Sequence, residues 1–201
     1  MRTFQFLKPC YVAGVIAFLA LTLGSVVHAH QLFYVMGGVG KGMYDSSTDD
    51  SSSFVGSVDE DVTAWTVGLG VNINEYFSVE AGYVDLDELD YDGLWLGTPD
   101  RGKVETDGWE FALVGKLPVN QEHNINLLGK VGVFAWDSDE KEVFGGVPEP
   151  KNNEDGEDLM YGFGIQGRVM PGLDLRLEWN RYTDVADDDI DSVLLRAIWS
   201  F

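Results

Sequence analysis

The sequence predicts an all-β fold, an eight-stranded antiparallel up-and-down transmembrane β-barrel on an exported chain. Three observations support this prediction. The N-terminus reads as a secretory signal peptide, eight later segments alternate in polarity with the period of a β-strand, and the connections between these segments alternate between short and long.

The first 29 residues are expected to form a signal peptide, and residues 30–201 the barrel domain. Arg2 and Lys8 precede an almost wholly apolar run at 11–27, and Val27-His28-Ala29 gives the small-residue pattern of a cleavage site. The alternative is a permanent anchor helix, for which a run of about 17 residues is at the short limit. Cys10 is the only cysteine and lies inside the signal, so we expect no disulfide in the mature chain.

Eight segments after the signal carry the period-2 alternation of strands. They cover residues 32–44, 62–73, 76–86, 106–117, 124–136, 159–169, 173–183 and 190–201. Each is 11 to 13 residues long, and a tilted strand needs about 9–11 residues to cross a bilayer.

The connections divide into two kinds. Those at 74–75, 118–123 and 170–172 are short, those at 45–61, 87–105 and 137–158 are long, and the last, at 184–189, is of intermediate length. Short turns at one end and long loops at the other are typical of outer membrane barrels, whose short turns are periplasmic. Because the strand number is even, both termini are expected on the periplasmic side.

The polar and apolar faces distinguish a membrane barrel from the alternative, a soluble sandwich or lipocalin-like barrel. A membrane barrel turns its apolar face to lipid and its polar face inward. The charges on the polar face nearly balance, as a narrow enclosed lumen requires, because an unpaired buried charge is very costly. We therefore expect an interior ion network of Glu80, Glu110, Lys116, Lys130, Arg168, Asp174, Arg176, Glu178 and Arg196.

Aromatic residues on the other face lie near the strand ends, as in the aromatic girdles of outer membrane barrels. Phe33, Phe77, Trp199 and Phe201 are expected near the periplasmic interface. Trp65, Tyr83, Trp109, Tyr161 and Trp179 are expected near the outer one.

The acidic residues are concentrated in the presumed outer connections. Residues 45–61, 85–107, 137–158 and 184–191 hold 28 of the 34 acids. The formal net charge of −21 excludes nucleic acid as a partner, because that affinity depends on Lys and Arg at the phosphates. A solvated acidic surface is the preferred interpretation of these acids, and weak binding of divalent cations at the acidic loops is the alternative.

Several segments together resemble the OmpA-like transmembrane domain family of Gram-negative outer membranes. They are the residues 33–35, 79–86, 114–118, 129–132 and 175–185, and the terminal Phe201. The resemblance implies an eight-stranded barrel with a polar, salt-bridged interior. It also implies that Trp199 and Phe201 belong to the signal read by the barrel assembly machinery, although Arg196 stands where that signal often has glycine. Larger members add a peptidoglycan-binding domain after the barrel. This chain stops at Phe201, so we do not expect it to tether the wall.

The expected function is that of a structural or surface-interaction protein of the outer membrane, in contact with lipid and lipopolysaccharide. The alternative is a narrow small-solute or ion pore, although an eight-stranded barrel has room only for its own side chains. No catalytic, cofactor or metal residues are predicted. Residues 88–93 match half of a calcium loop, but Pro99 takes the place of the bidentate carboxylate.

Overall fold

The computed structural model describes residues 32–45, 54–58, 61–95, 98–120, 124–148, 152–186 and 188–201, and the predicted signal peptide at 1–29 lies outside these ranges. The strands are β1 (Phe33–Asp45), β2 (Phe54–Val58), β3 (Asp61–Asn72), β4 (Phe77–Trp95), β5 (Thr98–Pro118), β6 (Ile125–Phe144), β7 (Val147–Pro148), β8 (Asn152–Met170), β9 (Leu173–Val185) and β10 (Asp188–Ser200). In this part of the chain no helix is long and apolar enough to cross a membrane.

Eight of the strands close into an antiparallel barrel. The order is β1, β3, β4, β5, β6, β8, β9 and β10, and β1 closes the ring by pairing with β10 from Tyr34↔Ser200 to Asp45↔Asp189. The predicted fold class is therefore confirmed. The first and last strands meet along their whole length, so the two ends of the barrel domain lie at the same end of the barrel.

The register of the pairs fixes the tilt of the strands. A row that leaves β1 at Tyr34 passes through Gly70, Glu80, Ala112, Gly132, Met160, Tyr182 and Ile190 before it returns to β1 at Tyr44. A stagger of ten residues around eight strands tilts each strand by about 40–45° from the barrel axis.

The two faces of the barrel are as the alternation predicts. In β10, Leu194, Arg196 and Ile198 point inward and are buried, whereas Leu195 and Trp199 are about half exposed on the outer wall. The apolar outer face is covered by no other part of the described chain, which is the arrangement of a barrel that contacts lipid.

Four strands are longer than the sequence predicts. β4, β5, β6 and β8 have 19 to 21 residues, so much of the predicted loops at 87–105 and 137–158 is paired strand. Acidic residues are unfavourable in strands, and the many acids here therefore suggested loops. Inward side chains such as Val104, Thr106 and Trp136 still alternate with outward acids, and cross-strand ion pairs such as Lys103 with Glu88 support the extension.

The short turns connect neighbouring strands at the end of the barrel opposite the strand extensions. Asn74 caps its turn by accepting hydrogen bonds from the backbone nitrogens of Tyr76 and Phe77, both at 2.8 Å. The turn between β8 and β9 contains Gly172 at a φ of 84°, a conformation that glycine adopts without strain.

Candidate functional site

The centre of the barrel holds a compact cluster of buried charges. Three acids and three bases meet there: Glu80, Glu110, Glu178, Lys130, Arg176 and Arg196. All six are on the predicted list, and their side chains are at most 4% exposed. The formal charge of the cluster is zero, which is the condition for enclosing charges without a stranded one.

Each acid of the cluster contacts at least one base directly. Glu80 Oε1 lies 2.7 Å from Arg176 Nη1. The Glu110 carboxylate lies 2.7 Å from Arg196 Nη1 and 3.0 Å from Lys130 Nζ. Glu178 is the centre, with Arg196 Nε at 2.9 Å, Arg176 Nη1 at 3.5 Å and Lys130 Nζ at 3.6 Å. These charges come from β4, β5, β6, β9 and β10, so the cluster joins most of the barrel wall across the lumen.

Neutral residues that the sequence analysis did not single out complete the cluster. The Tyr34 hydroxyl donates to Glu80 Oε1 at 2.6 Å, and the Asn180 amide donates to Glu178 Oε1 at 3.1 Å. Gln166 Oε1 accepts from Arg176 Nε and Nη2 at 3.1 and 3.0 Å. All three occupy strand positions whose side chains point into the lumen. The polar alternation of the strands is the sequence feature that could have identified them.

The other three predicted members lie outside the compact cluster. Arg168 and Asp174 pair at 3.3 Å near the end with the short turns, where the Arg168 side chain is 51% exposed. Lys116 donates to Asn72 Oδ1 at 2.6 Å, and its Nζ lies 5.3 Å from the centre of the Tyr34 ring. Gln166 links the two groups by donating to Asp174 Oδ2 at 2.6 Å.

The half of the lumen beyond the charges is apolar, which corrects the expectation of a polar lumen throughout. Its buried residues form one cluster: Tyr44, Val62, Ala64, Val84, Leu86, Ala112, Phe134, Trp136, Met160, Tyr182, Val185, Ile190 and Leu194. The Phe134 and Tyr182 rings lie 4.5 Å apart across the lumen. The prediction of a polar lumen depended on the charged inward positions, whereas the inward positions toward the long-loop ends are mostly hydrophobic.

Aromatic side chains form a belt on the outer wall at the level of this apolar cluster. The Tyr83 ring lies 5.6 Å from both Trp65 and Trp109, and the Trp179 ring lies 6.0 Å from Tyr161. These five residues are the predicted outer aromatic girdle. Such a belt is typical of a membrane interface, so we take it as one limit of the membrane-spanning wall.

Directly beyond the aromatic belt the outer wall becomes acidic. Asp85, Asp107, Asp137 and Asp155 occupy directly opposite positions on β4, β5, β6 and β8. We call these four residues the aspartate row. Directly opposite side chains lie about 4.5–5.5 Å apart at Cβ, and like charges there repel. Burial and the neighbouring Asp107, Asp87 and Glu105 carboxylates raise the pKa of Asp85 above its usual value.

On the opposite side of the rim, one arginine partly compensates two acids. Arg181 makes two hydrogen bonds to Asp191, at 2.6 and 2.7 Å, and lies 3.6 Å from Asp189. In the residues that the structure describes, no ion pair of this kind involves the aspartate row. The acidic character of the exterior is therefore concentrated over β4, β5, β6 and β8.

The described residues were also considered as possible metal ligands. Within the described ranges, no group of three or more His, Cys, Asp or Glu side chains is placed to hold a metal ion. The three histidines, His28, His30 and His123, lie outside those ranges. The arrangement offers electrostatic contact on the outside and a filled interior.

Together, the closed ring, the lipid-facing apolar wall and the aromatic belt define an eight-stranded barrel of the bacterial outer membrane. Solved structures of this class are similar to the chain. The attachment invasion locus protein Ail of Yersinia pestis has a TM-score of 0.58 at 13% identity, with 86% of this chain and all of Ail covered. OprG of Pseudomonas aeruginosa has a TM-score of 0.60 at 10% identity, with 87% and 98% covered. At such identities the likeness shows the fold.

The model of the OmpA-like transmembrane domain matches residues 28–199, and the chain belongs to that family. The resemblance predicted from the sequence is thereby confirmed. The N-terminal barrel domain of OprF from Pseudomonas aeruginosa is a further solved relative, with a TM-score of 0.56 at 7% identity over 85% of this chain and 98% of that one. A search of curated proteins gave no match.

Proposed function

We propose that this chain is a structural and surface-interaction protein of the outer membrane, whose working surface is the acidic exterior of the barrel and not its lumen. Lipopolysaccharide is the expected neighbour at that surface, and divalent cations are the expected link between its phosphates and the protein carboxylates. The family membership and the outer membrane fold support the general part of this proposal.

One observation carries the proposal: the polarity of the wall reverses beyond the aromatic belt. On the membrane side of the belt, apolar residues face out and charges face in. Beyond it, Leu86, Trp136 and Val62 face in, whereas Asp85 and Asp137 face out. This is the pattern of a water-soluble barrel, so the projecting strands present a folded, hydrated surface above the lipid.

The filled interior argues against the alternative function of a pore. A solute on the barrel axis meets the charge cluster in one half of the lumen and the apolar cluster in the other. Passage would have to separate ion pairs that are buried in protein, which is costly. An eight-stranded barrel leaves no spare width around such side chains.

The aspartate row supports the choice of divalent cations as a partner. Four directly opposed carboxylates repel one another in the protein alone. A Mg²⁺ or Ca²⁺ ion takes oxygen ligands and is often held by carboxylates together with phosphates. An ion shared between the row and a lipopolysaccharide phosphate would relieve repulsion on both sides.

The charge of this chain also bears on the chemistry of its partners. One solved relative, Ail of Yersinia pestis, has been crystallised with the heparin analogue sucrose octasulfate, with a TM-score of 0.56 to this chain. A sulfated polyanion does not suit an exterior that carries most of 34 acids. We propose that this chain takes cations or cationic partners at its outer surface.

The remaining parts of the proposal concern export and orientation. We propose that residues 1–29 direct export and that Trp199 and Phe201 are recognised by the barrel assembly machinery. We also propose that both termini of the barrel domain face the periplasm. The three short turns lie at the same end as the start of β1 and the end of β10, which supports this orientation, because outer membrane barrels keep their short turns in the periplasm.

The test compares binding of lipopolysaccharide by two triple variants of equal charge. The variant Asp85→Asn, Asp107→Asn, Asp137→Asn removes most of the aspartate row. The control Asp49→Asn, Asp50→Asn, Asp59→Asn removes the same charge from residues 45–61. Affinity of the detergent-solubilised barrel for lipopolysaccharide is measured while Mg²⁺ is titrated and NaCl keeps the ionic strength constant.

We expect Mg²⁺ to raise the affinity of the wild type and of the control, and to have little effect on the aspartate-row variant. Equal responses of the two variants would show that Mg²⁺ acts by general screening and that the row has no special role. A third arm with dephosphorylated lipopolysaccharide should lose the Mg²⁺ response if the phosphates are the second ligand.

A further inference from the structure

We propose that the outer edge of β8 at residues 153–158 is a docking site for an extended, basic segment of another protein, which binds by adding a strand to the sheet. This inference rests on the proposal that the exterior is the working surface, and it names the chemistry of a protein partner. Strand addition to an exposed sheet edge is a common mode of peptide recognition.

The edge exists because β8 projects further than its neighbour β9. On one side, β8 remains paired with β6 up to Glu140↔Asn152. On the other side, the register with β9 begins at Met160↔Tyr182, and β9 ends at Val185. Beyond Leu159, no residue of the other described strands is paired with this side of β8.

The backbone groups that face outward along this edge follow from one hydrogen bond. The Thr183 hydroxyl donates to the Leu159 carbonyl at 2.9 Å, so the backbone polar groups of Leu159 point toward β9 and away from β6. These groups alternate sides along a strand. The N–H and C=O groups of Glu157, Asp155 and Asn153 therefore point to the same open side.

The charge at this edge selects the kind of strand that can pair with it. Asp155 and Glu157 are exposed, and Asp155 lies opposite Asp137 of β6. A strand added beside β8 would place its own side chains opposite these acids, where opposite charges stabilise and like charges destabilise. Lys or Arg at alternate positions of the partner fits this edge.

The same charge disfavours the other obvious occupant, a second copy of this chain. Pairing two β8 edges would oppose Asp155 and Glu157 with acids of the same segment. Charged side chains on an edge are a common protection against such self-pairing. The edge is therefore open to a basic strand and closed to its own copy.

The probe is a synthetic heptapeptide, Thr-Lys-Val-Lys-Val-Lys-Thr, labelled with a fluorophore. Its binding to the mature barrel in lipid nanodiscs is measured by anisotropy at fixed salt. A second peptide carries N-methyl groups on two adjacent central residues. Because adjacent N–H groups point to opposite edges of a strand, this change blocks both edges and keeps the charge. A third peptide has Glu in place of Lys.

We expect N-methylation to weaken binding at least about tenfold, equivalent to the loss of one or two net hydrogen bonds, and the Glu peptide not to bind. Equal binding of the parent and methylated peptides would overturn strand addition in favour of plain electrostatic adhesion. Absence of binding by the parent peptide would overturn the docking site altogether.

Variants of the barrel locate the site. Asn153→Pro removes an N–H that faces the open side without a change in charge, and proline is tolerated in an edge strand. It should therefore weaken the parent peptide and leave any residual binding of the methylated one unchanged. Asp155→Asn should weaken the parent severalfold, whereas Asp92→Asn, on the β4 extension, should not. Equal effects of the two Asn variants would contradict the assignment to β8. Asn153 lies outside the aspartate row, so lipopolysaccharide binding by Asn153→Pro should keep its Mg²⁺ response, and this inference and the proposed function fail separately.

Discussion

Removing Glu178 from the buried charge cluster should destabilise the barrel more than any surface substitution. Its carboxylate is the one that contacts all three bases, Arg196 at 2.9 Å, Arg176 at 3.5 Å and Lys130 at 3.6 Å. Each such contact amounts to about 4–6 kcal/mol in an effective dielectric of about 20. Loss of the carboxylate also relieves its own burial and its repulsion by Glu80 and Glu110, so the net cost is smaller than the sum.

For Glu178→Ala we expect a loss of about 3–5 kcal/mol in the free energy of unfolding, the range found when one partner of a buried ion pair is removed. Urea unfolding of the barrel in lipid vesicles, followed by tryptophan fluorescence, measures this free energy. The matched control is Glu157→Ala, an exposed acid of β8, which should change it by less than about 0.5 kcal/mol.

A second-site variant separates the loss of charge balance from the loss of volume. Glu178→Gln keeps the size of the side chain, and combining it with Lys130→Met restores a neutral cluster. The double variant should be less destabilised than the sum of the two single variants, because the residues are in contact. Additive effects, or a Glu178→Ala loss no larger than that of Glu157→Ala, would refute an enclosed and balanced cluster.

Four further predictions concern other parts of the barrel. Asp107→Asn should stabilise the barrel by about 0.2–1 kcal/mol because it relieves a directly opposed carboxylate pair, as urea unfolding would show. The raised pKa of Asp85 should add stability as pH falls toward the usual carboxyl range near 3.8, an effect weakened in Asp107→Asn and lost as pH rises. Gly132→Ala should destabilise, because its Cβ would lie 2.1 Å from the Phe111 carbonyl, whereas Gly129→Ala meets no atom within 4 Å and should be neutral. Deleting Phe201 should slow insertion by the assembly machinery in reconstituted vesicles while unassisted folding in detergent is kept.

The sequence predicted the barrel because strand pairing obeys a simple period. Alternation identified the outward Trp65 and Leu69 and the inward Thr66 without knowledge of the partners. Charge balance on the inward face then selected the residues that meet in the central cluster. Both arguments depend only on which side of a strand a residue occupies.

The lengths of β4, β5, β6 and β8 could not be predicted in the same way, because they depend on pairing between strands. Acidic segments such as 137–144 have low intrinsic strand preference, and only their register with inward-facing neighbours holds them in the sheet. The aspartate row shows the same limit. Asp85, Asp107, Asp137 and Asp155 are far apart in sequence, and only the register brings them opposite one another.

The level of each inward residue along the barrel axis could not be predicted from the sequence either. Glu178 and Tyr182 both point inward from β9, yet one lies in the charge cluster and the other in the apolar cluster. The stagger of the strands around the barrel decides which residues of the other strands lie at the level of each. The inward residues alone therefore predicted one polar lumen, whereas the structure has a charged layer and an apolar layer.

Single-channel recording in planar bilayers tests the central claim most directly. If the charge cluster and the apolar cluster fill the lumen, the purified barrel should give no steady conductance above that of bilayers without protein, across a range of salt concentrations and voltages. Regular open steps that scale with salt concentration, from protein shown to be folded by its heat-dependent electrophoretic mobility, would contradict a closed lumen and restore the pore as the function.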